Sequence, residues 1–233
     1  MSYFHSQKLA LAATFGIAIV GLNHASHAQS AHPVSAVDNP WPSDIDPVSG
    51  FRLPLPDRID LNEAAKKIYD HATRSASLAG LQGPAGVYIY SKAGQQAVSI
   101  NSVLRRNAGL SPRIREVAIL TTAREFDSQF EWSAHEPEGI KAGVPVETID
   151  AIKHHKDLTG LDPTDSLVIE LGRDIWRQHK VPSETFQKMK QVFGPQKTID
   201  LVLLMGNYAA TAAVLTTVDM QLHHGEKALL STP

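Results

Sequence analysis

Glu131 and His135 stand four residues apart in the stretch QFEWSAHEPEG, a spacing that puts both side chains on one face of a helix. Glu116 precedes them in SPRIREVAILTTARE, on the face that also carries Ile119 and Leu120. If the two segments pack together, two carboxyls and an imidazole converge in an apolar lining. Burial raises a carboxyl pKa, a second carboxylate raises it further, and an imidazolium lowers it. Such a cluster suits proton transfer near neutral pH, with His135 as leading donor or acceptor and Glu131 or Glu116 orienting it. Arg113, Arg115 or Arg124 could hold a substrate carboxylate through a two-pronged bond. Ser128 lies one turn before Glu131, and Trp132 is placed to wall a pocket. Each of these has a plain structural alternative: a surface ion pair, a solvated arginine, a core aromatic.

The elements that must position these groups read as helices. Leu61, Ala64, Ala65, Ile68, Tyr69 and Ala72 follow the spacing of one apolar face, with Asp60 as the expected cap. A second helix is expected from about Ala85 to Arg106, loosened near Gly94. Ser111-Pro112 pairs a capping residue with proline at the first helical position, starting a third. Phe130 to Ala142, stopped by Gly143, is the fourth, with Pro137 expected to kink or end it just past the site. Further helices are expected over Glu147–Lys156, Thr164–His179 and Ser183–Phe193, then a long Ala-rich one over about Gln196–Gly225. Val87 to Tyr90 is the best strand candidate, yet its flanks read helical. The expectation is an all-α helix bundle of about eight helices over residues 59–230.

Composition narrows the function classes. The 233 residues carry 42% hydrophobic and 20% charged side chains with net charge −2, which offers no basic footprint for nucleic acid. There is no cysteine, which removes disulfides, thiolate metal sites and Cys nucleophiles. Lys8, the apolar run Leu9–Leu22 and the small residues Ser26 and Ala28 make residues 1–28 a predicted signal peptide. A secreted protein follows, periplasmic in a Gram-negative bacterium, without a membrane span once the leader is cleaved. Residues 29–58 contain six prolines and read as an extended arm. Its Trp41, Ile45, Phe51, Leu53 and Leu55 favour wrapping over a loose linker.

The ordered motifs resemble the carboxymuconolactone decarboxylase family, grouped with the alkylhydroperoxidase D-like proteins. They are the R-x-R-E-x-A-I-L-x-x-A-R run ending at Arg124, E-W-x-x-H at 131–135 and A-G-V at 142–144. R-L-P-L-P (52–56), L-x-G-P (81–84) and F-G-P-Q-K-T-I-D-L-V-x-L-x-G-N-Y (193–208) extend the likeness to about 52–222. The resemblance implies an alkylhydroperoxidase D-like helical bundle that forms homo-oligomers: dimer, trimer or hexamer. The peroxidase branch has two cysteines where this chain has Ser128 and Glu131, and neither side chain can supply thiol redox chemistry. The decarboxylase branch needs no thiol. It implies cofactor-free decarboxylation, or related lyase or isomerase chemistry, on a small lactone or keto acid. Expected substrate contacts are Arg124, Trp132, Ser128 and Arg113. Export suggests a substrate other than carboxymuconolactone.

Two other readings compete. Glu116, Glu131 and His135 contain metal-ligand types, but no further strong ligand is identifiable, so no metal is expected. His154-His155 and His223-His224 diverge on a helix and read as solvated helix ends. His135-Glu136 begins like a zinc motif, but Gly139 occupies the second His position. The remaining alternative is a non-catalytic protein that binds a small acid or serves assembly.

Overall fold

Ser111 and Pro112 start the helix around which the others are arranged. The Ser111 hydroxyl accepts the Ile114 N–H, and proline occupies a position whose N–H would have no partner. The structure, a computed structural model, describes residues 41–74 and 80–231. The expected signal peptide and the first part of the arm, 29–40, lie outside the described residues.

A 3-10 turn, Arg58–Asp60, precedes α1 (Glu63–Ala72), α2 (Pro84–Tyr88), α3 (Lys92–Arg106) and α4 (Pro112–Glu125). Then come α5 (Gln129–Lys141), α6 (Val146–Lys153), α7 (Pro163–Arg173) and α8 (Ser183–Thr217). The fold is all-α, and no strand occurs among the described residues. The central α4 packs against α5, α6, α7 and α8. Its residues from Glu116 to Ala123 are all buried, so it has no solvated face. The main core joins Val117, Ile119, Leu120 and Trp132 to Val168, Leu201, Leu204 and Met205.

Local chemistry explains most departures from the expected boundaries. Asn62, not Asp60, caps α1, its side chain accepting the Ala65 N–H at 2.9 Å. The expected second helix is two, broken at Ile89–Tyr90, and Ser91 caps the second piece through the Ala93 and Gly94 amides. A Cβ at Gly94 would lie 2.7 Å from the Tyr88 carbonyl oxygen, so glycine is required where α2 turns back onto α3. Val87–Tyr90 is helix and turn. Pro137 sits inside α5, which runs on to Lys141 beside the expected end at Ala142. Left-handed His155 closes α6 early, and α7 gives way to a π turn, Asp174–Gln178, ended by left-handed His179. Gly194, at φ 76°, breaks α8 where two helices had been expected to meet.

The last helix ends at Thr217, short of the expected Gly225. The tail instead folds back, with the Gln221 amide donating to Gly50 O and the Leu230 amide to Gln129 Oε1. The described part of the arm, 41–58, packs on its own chain. Ile45 and Phe51 are buried, and Phe51 packs with Val87, Phe130, Leu215 and Val218 in a second, smaller core. Leu53 stays exposed.

Candidate active site

Packing α4 against α5 brings Glu116, Glu131 and His135 together. His135 Nδ1 lies 2.7 Å from Glu116 Oε2, and His135 Nε2 lies 3.6 Å from Glu131 Oε2. All three residues are more than nine-tenths buried. From α3, Arg105 donates to Glu116 Oε1 at 3.3 Å and to the Tyr208 hydroxyl at 2.9 Å. Tyr208, on α8, sets its ring edge-to-face with His135 at 5.1 Å between centroids. Glu131 Oε1 is buried without a hydrogen-bond partner.

Arg105, Glu131, His135 and Tyr208 of this cluster line a cavity of about 580 Å³ between α1, α2, α3, α5 and α8, with Glu116 behind His135. Ile68, Val98, Phe130 and Ala134 give it apolar walls, and Tyr88 and Thr211 line it with their hydroxyls 2.7 Å apart. The exposed part of the lining carries Lys67, His71 and Arg106, all cationic or able to become so. A small anion with an apolar body would therefore meet positive charge first and carboxyls last.

The two carboxyls are driven apart. Burial pushes Glu116 up, but the hydrogen bond and charge of His135, aided by Arg105 and Arg115, outweigh it and hold the carboxyl below its ordinary range. Burial dominates at Glu131; His135 and Arg105 oppose it, Glu116 adds to it, and the carboxyl is held above its ordinary value. Burial also pushes the Tyr208 phenol up against the opposing charge of Arg105. Glu116, favoured in its ionised form, faces His135 Nδ1, and His135 Nε2 faces Glu131. A buried carboxyl whose neutral form is favoured, set beside an imidazole, suits proton transfer to or from a bound carbon acid.

The expected substrate contacts are not gathered here. Arg113 bonds Asp165 at 2.7 Å and Asp162 at 3.3 Å, fastening the start of α4 to α7. Arg124 donates to Lys153 O at 2.8 Å and pairs with Asp127 at the other end of α4. Ser128 is buried at the start of α5, outside the cavity lining, and its side chain makes no cap bond. Trp132 is fully buried in the main core, its indole N–H donating to Glu136. It follows Glu131 by one residue, which on a helix turns it about 100° away from the cavity. Arg115 donates to Arg105 O.

Arg105, Tyr208, Tyr88 and Thr211 were missed by sequence reasoning. Tyr208 closes the G-N-Y motif, which was the available signal. Arg105 had none, because the rotation of α3 about its axis depends on its packing against α8. Among the described residues, no group of three or more His, Asp or Glu side chains is arranged to hold a metal ion. His223 and His224 lie past the end of α8, where His223 reaches Gln82 O at 3.1 Å and the His224 ring lies tilted beside Trp41, 6.4 Å between centroids. The chain matches no protein-family model, and no curated protein matches it at a significant level.

Proposed function

We propose that this protein is a cofactor-independent lyase or isomerase that moves a proton on a small lactone or keto acid. The observation that carries the reading is the 2.7 Å contact of Glu116 with His135 at the buried end of an anion-attracting cavity. The likeness of the ordered motifs to the carboxymuconolactone decarboxylases supports the reaction class.

Arg105, rather than Arg113 or Arg124, holds the substrate carboxylate or a developing enolate. Two of its five N–H groups are engaged by Tyr208 and Glu116, leaving others for a ligand. Protonated Glu131 donates to the carbonyl oxygen on which charge develops. In a decarboxylation, the electrons of the breaking carbon–carbon bond enter the conjugated carbonyl, carbon dioxide leaves, and the carbon takes a proton that solvent water has supplied to His135 Nε2. In an isomerisation, His135 Nε2 takes a proton from the carbon beside the carbonyl and returns it elsewhere. The leader-like N-terminus makes the substrate one met outside the cytoplasm.

The test is incubation of lactones and keto acids with the protein and with His135→Ala. Carbon dioxide release or deuterium incorporation is expected in the first and lost in the second. Tight binding without either signal across the panel would replace the enzyme with a small-acid-binding protein.

A further inference from the structure

The polar groups that line the cavity divide by which of them still hold a proton to give. Near the carboxyls, Arg105 has N–H groups to spare, and the Tyr208 hydroxyl accepts from Arg105 and keeps its own proton. One turn further along α8 the position is reversed. Thr211 gives its single hydroxyl proton to Asn207 O at 2.8 Å. Its oxygen lies 2.7 Å from Tyr88 Oη and can then only accept, so the Tyr88 proton is engaged by Thr211. Burial, opposed by the bond to Thr211 and aided by the charge of Glu131, holds the Tyr88 phenol above its ordinary value, so it stays protonated. Tyr88 Oη is left with lone pairs and nothing to donate. Ser99, also in the lining, likewise gives its proton away, to Gln95 O at 3.4 Å. Asn101 and Asn207 each bring both a donor and an acceptor and do not alter the balance.

A carbonyl or carboxylate set against Tyr88 would therefore meet an oxygen and no proton, whereas a hydroxyl set there would be received. Ile68, Val98 and Phe130 line the space around the two polar ends, so the body joining them is apolar. Thr211 follows Tyr208 by three residues, about 4.5 Å along the helix axis. A single six-membered ring between an acid group and a hydroxyl bridges a gap of that size.

We propose that the substrate is an apolar-bodied acid that carries a hydroxyl group, with its acid end at Arg105 and its hydroxyl donating to Tyr88 Oη. Tyr88 is then the residue that selects among small acids, and a phenolic keto acid is the simplest member of the class. The inference rests on the placement of the acid group at Arg105 in the proposed function, and not on turnover.

Benzoates test this wall apart from the chemistry, because they carry no ketone or lactone through which the proposed reaction could run. In calorimetric titrations, meta- or para-hydroxybenzoate and the matching aminobenzoate should bind at least about fivefold tighter than benzoate and the matching fluorobenzoate, as one well-placed hydrogen bond allows. Tyr88→Phe should bring all of them to within about twofold. Thr211→Val keeps the Tyr88 ring and frees its proton. There the advantage of the amino group, a poor acceptor, should shrink, while the hydroxyl, which can also accept, keeps its own. Equal affinities across the panel, no binding at millimolar concentration, or a hydroxyl preference that survives Tyr88→Phe would overturn the proposal. Hydroxyl-selective binding without turnover of any lactone or keto acid would instead sink the lyase and isomerase reading and leave this one standing. Turnover with no preference for hydroxylated acids would do the reverse.

Discussion

Helix α4 carries a buried glutamate with an arginine and a histidine at each of its ends, and only one of the two trios forms a cavity site. Near its start, Glu116 meets His135 and Arg105 beneath the cavity. At its end, the Glu125 side chain is 4% exposed and takes Arg177 on both oxygens, with His155 at 3.7 Å. Around the second trio the cations are already committed: Arg173 donates to Ala151 O and Lys156 O, and Arg124 to Lys153 O. These bonds satisfy carbonyls at the end of α6 and tie α4, α6 and α7 together. Residue types alone therefore do not place a trio against a cavity. The Glu116 trio differs in three ways: apolar walls, room for a ligand, and a second carboxyl with an unpartnered oxygen.

The largest test of that contrast is the paired removal of the two histidines. His135→Ala should lower turnover at least about 100-fold, the usual contribution of a positioned proton donor or acceptor. His155→Ala should leave turnover within about twofold. Comparable losses in both would mean that the two trios are not distinct in role.

Next come the carboxyls. Glu116→Gln and Glu131→Gln should each reduce turnover at least tenfold, about 1.4 kcal/mol in the barrier. Glu125→Gln should instead cost about 1–3 kcal/mol of unfolding free energy, by leaving Arg177 poorly paired, with turnover unchanged. Denaturant melts beside initial rates separate the two outcomes.

The smallest effect is a pH dependence of opposite sign within the site. Glu116 is held below its ordinary value of 4.5, so its ionisation stabilises the fold above that pH, and the benefit disappears as pH falls through the folded-state value. Glu131 is held above 4.5, so the folded state binds the extra proton and stability falls as pH rises through the window above 4.5. Relative to the unmodified protein, Glu116→Gln should lose stability most at neutral pH and least in acid. Glu131→Gln should gain on the unmodified protein as pH rises above about 4.5. Parallel profiles for the two variants would show that the carboxyls are not driven apart.

Much of the site was legible before any tertiary contact was known. The i,i+4 spacing of Glu131 and His135 follows from helix geometry, and the Ser-Pro start of α4 sets the phase that carries Glu116 inward. The errors lie where rotation or long-range partners decide. Arg113 and Arg124 share α4 with Glu116, but each is drawn to a nearer acceptor, Asp165 for one and Lys153 O for the other. Trp132 is adjacent to the site in sequence and turned away from it in space.

Helix content, the cap at Ser111 and the pairing potential of Glu131 with His135 depend on neighbours within a few residues, so the order of amino acids sufficed for them. Arg105 over Glu116, the Tyr208 ring against His135, the tail folded along α5 and the size of the cavity depend on residues far apart in the chain. Those contacts exist only once α3, α5 and α8 have settled around α4, because helix rotation and crossing are chosen by how the buried faces fit.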